Sequence, residues 1–200
     1  MKYESLKAEN ISAAILVGRS RRMGCDKALL VLNDQTFIGH LAQECSVCRE
    51  VFVSAAEAKD YSEYGLKVIV DENKDIGPIE GIRRSLSHSV SDNVFICAYD
   101  MPFFCSDMIR YLSGLFTDDA DICVFRDEER IHPLCGIYSR TVLPFAEEMI
   151  AKGSYRMTDL LSQVRTKYAD IKDSPFNKET LSNINTPEEY HAVRERNSNP

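Results

Sequence analysis

The residues best suited to chemistry begin with one short run, Gly18-Arg19-Ser20-Arg21-Arg22-Met23-Gly24-Cys25-Asp26-Lys27. Gly18 and Gly24 permit close backbone approach to a ligand, and exposed amides together with Arg and Lys make a cradle for polyphosphate. The run is not a Walker A loop, because Gly24 is not followed by Lys and Ser/Thr, and it does not match GxGxxG. Asp100 closes the apolar stretch Asn93–Tyr99. A carboxylate there can hold Mg²⁺ together with phosphate oxygens or cap the following turn. Asp71 closes Lys67–Val70 in the same way; it can accept hydrogen bonds from a base or ribose, or hold its own loop. Gly77-Pro78-Ile79-Glu80-Gly81 turns into a helix whose first amides can face a ligand. His132-Pro133 precedes a strand, where a lone histidine is structural or holds substrate by a hydrogen bond in preference to acting as a base. Asn183 and Asn185 flank Ile184 just before a helix, a place for turn and cap chemistry. Cys45 and Cys48 have CxxC spacing, but no second CxxC and no spaced His pair completes a zinc site, and the pair follows a helical pattern instead of opening a helix after a strand.

The elements that must position these groups alternate. Ile11–Val17 is a continuous apolar run that predicts a strand buried on both faces. Asn33-Asp34 is a turn, and Thr36 is placed to cap a helix from Phe37 to about Cys48. Strands follow at Glu50–Ser54, Lys67–Val70, Asn93–Tyr99, Asp121–Phe125, Leu134–Tyr138 and Lys167–Ile171. Helices are predicted at Pro78–His88, at Asp107–Leu115 with Ser106 as cap, at Val142–Ala151 ending near Gly153, at Met157–Val164 and from Pro187, capped by Thr186. Alternation of this kind argues for an α/β fold with a mostly parallel sheet and helices on both faces. In such sheets ligands bind beyond the carboxyl ends of the strands, which is where Gly18–Lys27, Asp71 and Asp100 fall. With no linker, repeat or low-complexity segment, residues 1–200 read as one domain with a core of about 10–195.

The 200 residues are 44% hydrophobic and 28% charged, ordinary for a globular chain, and carry a formal net charge of −7. That acidity argues against a nucleic-acid partner, so the basic cluster Arg19, Arg21, Arg22 and Lys27 suggests a small anionic ligand. The longest apolar stretch is too short to span a bilayer, and Met1–Glu9 lacks the apolar core of a signal peptide. A cytoplasmic protein without a disulfide framework is expected.

Taken in order, these residues resemble the molybdenum cofactor guanylyltransferases, the MobA-type family. Their signature LAGGxSxRMGxDK is similar to the stretch Ile15–Lys27 here. Further similarities are Asp71, the GPIEGI stretch from Gly77 to Ile82, Ala98–Pro102, His132-Pro133-Leu134 with Tyr138, and Asn183-Ile184-Asn185-Thr186-Pro187. The resemblance implies a three-layer Rossmann-like nucleotidyltransferase domain that uses GTP and Mg²⁺ to transfer GMP to the phosphate of molybdopterin or Mo-molybdopterin, releasing pyrophosphate. It implies that Ile15, Leu16, Val17 and Gly18 line the guanosine, that Lys27 and Arg22 contact phosphate, that Asp71 meets the nucleoside, and that Asp100 binds Mg²⁺ and GTP. It places Asn183 and Asn185 near the pterin, and it suggests contacts with other proteins of cofactor biosynthesis or molybdoenzyme maturation. Val17 departs from the pattern by standing where the family has the first of two glycines. If that position needs a positive φ, the loop must differ here. A cytidylyltransferase, a transferase acting on a sugar or other phosphate, and a non-catalytic nucleotide-binding module are the alternatives that the same loop and carboxylates would serve.

Overall fold

The computed structural model describes residues 6–18 and 26–198. Among the described residues, nine strands and six α-helices follow one another as β1 (Ser12–Val17), β2 (Val31–Leu32), β3 (Gln35–Thr36), α1 (Phe37–Cys45), β4 (Glu50–Ala55), β5 (Lys67–Val70), α2 (Pro78–His88), β6 (Asn93–Ala98), α3 (Ser106–Leu115), β7 (Ile122–Arg126), β8 (Ile131–Ser139), α4 (Leu143–Ala151), α5 (Met157–Gln163), β9 (Thr166–Asp170) and α6 (Pro187–Ser198). Seven strands form one sheet in the order β5-β4-β1-β6-β8-β7-β9, and β2 pairs with β3 in a small hairpin. β1 lies between β4 and β6 and is parallel to both. Among the described residues, β8 is the strand that runs against this sheet, antiparallel to β6 and β7.

The alternation of side chains along β1 builds two cores. Ala13, Ile15 and Val17 point into the layer with Ile38 and Leu41 of α1 and Met108 and Leu112 of α3. Ala14 and Leu16 point into the layer with Ile79 and Ile82 of α2, Met149 of α4 and Leu160 of α5. Every residue of β1 is buried, as expected of a central parallel strand covered on both faces.

Several predicted boundaries hold at atomic detail. Asn33 and Asp34 both take positive φ in the β2–β3 turn, and the Thr36 hydroxyl accepts from the Gly39 amide at 3.1 Å to cap α1. Others need correction. α1 stops at Cys45, because the chain must turn for the Arg49 amide to reach the Ile11 carbonyl at 2.9 Å beside β1. Ser106 is not the cap of α3 but its first residue, and its amide is satisfied by the Glu44 carboxylate of α1 at 2.6 Å. β8 begins at Ile131, earlier than the predicted Leu134. Its ladder with β7 steps from Val124–Gly136 to Phe125–His132, so Pro133 falls in an irregularity where no ladder amide is required.

Candidate active site

A cavity of about 470 Å³ opens at the carboxyl ends of β1, β4, β5 and β6, bordered there by Leu16, Val17, Gly18, Ser54, Asp71 and Ala98–Asp100. The first turn of α2 forms its opposite wall through Gly77, Pro78 and Gly81. Gly77 has φ 81° and ψ −165°, a region open essentially to glycine alone, and this sharp entry brings the start of α2 over the cavity. Gly81 then allows the helix to settle on β1: a methyl group there would lie 2.9 Å from Leu16 Cδ2.

Val17 ends β1 in register with Ala55, 3% exposed and packed in the α1-side core. It is not among the non-glycine residues with positive φ. The valine is therefore compatible with this strand end, and its side chain is buried in the core. Ile15 lies deeper, fully buried, and does not border the cavity.

Asp100 borders the cavity, and Lys27, which does not itself border it, lies beside Asp100. Lys27 is 6% and Asp100 8% exposed, and Lys27 Nζ lies 3.8 Å from Asp100 Oδ2. The ammonium also donates to the Ile184 carbonyl at 3.1 Å and to Asn185 Oδ1 at 3.3 Å. Asn183 Nδ2 donates to Asp100 Oδ1 at 2.5 Å, and the Ile184 amide donates to the Asp100 carbonyl at 3.0 Å. The segment Asn183–Asn185 thus straps the lysine and the carboxylate together. Burial pushes the Asp100 carboxyl above its usual range, opposed by the hydrogen bond from Asn183 and the charge of Lys27. Asp26 caps the short turn Lys27–Leu29: its carboxylate accepts from the Ala28 amide at 3.1 Å and from Lys59 at 2.7 Å. Arg22, with Arg19, Arg21 and Gly24, lies outside the described residues.

Asp71 faces the cavity from the end of β5, holding Ser54 Oγ at 3.1 Å, and burial raises its carboxyl as well. Ser54, Asn73 and Asp75 also border the cavity and were not singled out by sequence. Ser54 carried the same signal as Asp71 and Asp100, a polar residue near the end of an apolar strand; Asn73 and Asp75 in their polar loop carried none.

A second cavity of about 160 Å³ shares Leu134 and Asn183 with the first and is bordered by Arg130, His132 and Pro133. His132 is 7% exposed, and its Nε2 lies 2.8 Å from Asp127 Oδ2. Asp127 also accepts the Glu129 and Arg130 amides. Burial outweighs the aspartate in lowering the histidine's affinity for a proton, so neutral His132 donates to Asp127 and holds the turn. Tyr138 completes the arrangement by donating to the Pro133 carbonyl at 2.7 Å.

The CxxC pair stands apart from both cavities. Cys45 is fully buried, 4.0 Å from the Cys97 sulfur, and its thiol is pushed well up by that contact and by burial. Such a thiol is inert. Among the described residues no group of three or more His, Cys, Asp and Glu could hold a metal alone, and no helix is long and apolar enough to cross a membrane.

Residues 13–168 match the family model of the MobA-like NTP transferase domain. The molybdenum cofactor guanylyltransferase of Vibrio parahaemolyticus is 32% identical over 189 residues, covering 92% of this chain and 95% of the relative. A "probable molybdenum cofactor guanylyltransferase" of Flavobacterium johnsoniae is 32% identical over 185 residues, covering 92% and 96%. The crystal structure of molybdopterin-guanine dinucleotide biosynthesis protein A from Archaeoglobus fulgidus aligns with a TM-score of 0.80 at 25% identity, over 95% of this chain and all of that one. The family match runs from β1 into β9 and takes in both sides of the larger cavity, and the chain belongs to the MobA-like NTP transferase family.

Proposed function

We propose that the chain is a guanylyltransferase that moves GMP from GTP to the phosphate of molybdopterin, releasing pyrophosphate. The observation that carries this reading is the contact of Asp100, which borders the larger cavity, with Lys27 beside it and with Asn183, which borders both cavities. The names of the relatives support the acceptor and the nucleotide. GTP would occupy the larger cavity with its base toward Asp71, and the acceptor would reach Asp100 from the side of Asn183. Asn185, bonded to Lys27, supports the phosphate end of the site.

Asp100 suits Mg²⁺, which is commonly held by one or two carboxylates with substrate phosphates completing its shell. Asp100 is the residue that would hold it, and the ion would neutralise charge on the phosphoryl oxygens. Lys27 supplies a fixed positive charge beside the same phosphates and stabilises the leaving pyrophosphate; Arg22 takes a similar part in this proposal. The acceptor phosphate oxygen forms a bond to the α-phosphorus as the α–β bridging bond breaks. A phosphate monoester is already largely ionised near neutral pH, its second pKa being about 6, so positioning and charge do the catalysis without a general base. This proposal places the reaction in the cytoplasm, where the free cysteines of the described residues would stay reduced, and hands the product to molybdoenzyme maturation.

Mg²⁺-dependent pyrophosphate release from GTP and from CTP, with and without Mo-molybdopterin, tests the proposal. Acceptor-dependent release with GTP is expected, reduced at least about a hundredfold in Lys27→Met. Release with CTP alone would replace the product, and tight GTP binding without release would overturn the transferase reading.

A further inference from the structure

The loop between β5 and α2 supplies the nucleoside end of the larger cavity, with Asp71, Asn73, Asp75 and Gly77 along its border. It contains no strand or helix of its own, and what fixes it is a carboxylate beneath it. Glu80, in the first turn of α2, is fully buried. Its Oε1 accepts from the Glu72 amide at 3.0 Å, the Asn73 amide at 3.2 Å and Arg83 Nη2 at 2.9 Å. Its Oε2 accepts from Asn73 Nδ2 at 3.0 Å and Arg83 Nε at 2.9 Å. Burial works against the charge, but these donors overcome it and hold the carboxyl at about 2. Arg83 and Arg84 tie down the next residue by pairing with the Glu72 carboxylate.

This arrangement determines what the loop can offer a ligand. A carboxylate only accepts hydrogen bonds, so Asn73 must turn its Nδ2 to Glu80, leaving the carbonyl Oδ1 as the acceptor it can present at the cavity it borders. Asp71 adds a second acceptor, steadied by Ser54. A row of acceptors suits guanine, whose N1–H and N2–H₂ are adjacent donors. Cytosine presents a single amino donor beside two acceptors, and those acceptors would face oxygen.

We infer that Glu80 is a positioning residue for nucleotide choice: without touching the nucleotide, it fixes Asn73 as an acceptor beside Asp71 and so sets the preference for GTP over CTP. The inference rests on the guanylyltransferase reading above.

Calorimetric Kd values for GTP and CTP, measured beside steady-state pyrophosphate release, test it in wild type, Glu80→Gln and Asn73→Ala. Losing charge-assisted bonds to the loop is expected to weaken GTP binding and raise its KM about tenfold, with kcat within about twofold. The GTP:CTP ratio of Kd values should fall toward unity, and the double variant should be little worse than the stronger single one, as coupled residues behave. If wild type prefers GTP and Glu80→Gln retains both Kd and ratio, the inference is overturned while the function stands. If Glu80→Gln does not fold, Asn73→Ala decides, because Asn73 is exposed and leaves the Glu80–Arg83 pair intact; unchanged selectivity there overturns the inference. A wild type that prefers CTP, or binds neither nucleotide, overturns the guanylyl reading and the acceptor-row argument with it.

Discussion

Asp100 and Asp71 are carboxylates that the fold holds against their own preference. Burial raises both. A carboxyl with a raised folded pKa contributes stability that is whole below the ordinary carboxylate range and is lost as pH rises through the raised value. At neutral pH the ionised Asp100 therefore costs stability, in a place where its charge is proposed to serve the phosphates. In Asp100→Asn turnover should fall at least about a hundredfold, and the melting temperature of the variant relative to wild type should be higher at pH 7 than at pH 4, the trend that a raised carboxyl dictates. Thermal melts at the two pH values check this, and a difference that does not change with pH, or changes the other way, would contradict it. Sequence made both aspartates legible because each ends an apolar run. The buried state of Lys27 was not legible: its partners Ile184 and Asn185 stand more than 150 positions away, and no local pattern announces them. Glu80 was visible as part of a turn into a helix, yet its grip on the loop depends on a shape that only the folded chain has.

At the scale of elements, local chemistry was the better guide where partners are near in sequence. Thr36 caps α1, and the amides of Gly153 and Ser154 close α4 on Ile150 and Met149. Ser106 looked equally fit to cap α3 but lost to Glu44 of α1, a tertiary contact outranking a local one. The start of β8 was hidden by Pro133, which is tolerated because the ladder skips it. The seating of α2 on β1 gives a further test. At Gly81 an added methyl meets Leu16 Cδ2 at 2.9 Å and Cγ at 3.0 Å, and Leu16 borders the cavity. Gly81→Ala should gain about 1 kcal/mol of helix propensity, but it presses Leu16 toward the nucleotide. The clash with buried Leu16 offsets that gain, so the variant should melt no higher than wild type without ligand and show a smaller stabilisation by GTP, since that stabilisation follows affinity. An undiminished GTP-induced shift in melting temperature would show that Leu16 yields elsewhere.

Across the whole molecule, carboxylates of the framework carry the opposite sign to those of the cavity. Despite opposing burial, Asp127 is held at about 2 by His132 and two backbone amides. Arg165 leads in holding Asp121 at about 2, and Glu80 stands at the same value. A lowered folded pKa gives stability above the ordinary carboxylate range that is lost as pH falls through the lowered value. Resistance to urea should therefore drop between about pH 4 and pH 2. Asp127→Asn should cost on the order of 2 kcal/mol at pH 7 and close to nothing at pH 2; equal losses at both would assign the residue a purely steric part. Alternation of strands and helices revealed the parallel sheet and its two covered faces, but not the strand order or the reversed β8, which depend on pairings between distant segments. The strap formed by Asn183–Asn185 follows the last strand of the sheet, β9, which ends at Asp170. Its consequence is one of dependence: the charge pair is held by a segment outside the sheet ladder, while Leu181 just before that segment and Ile184 within it reach back into the buried cores, so trimming the chain after β9 removes core side chains together with the partners of Lys27 and Asp100.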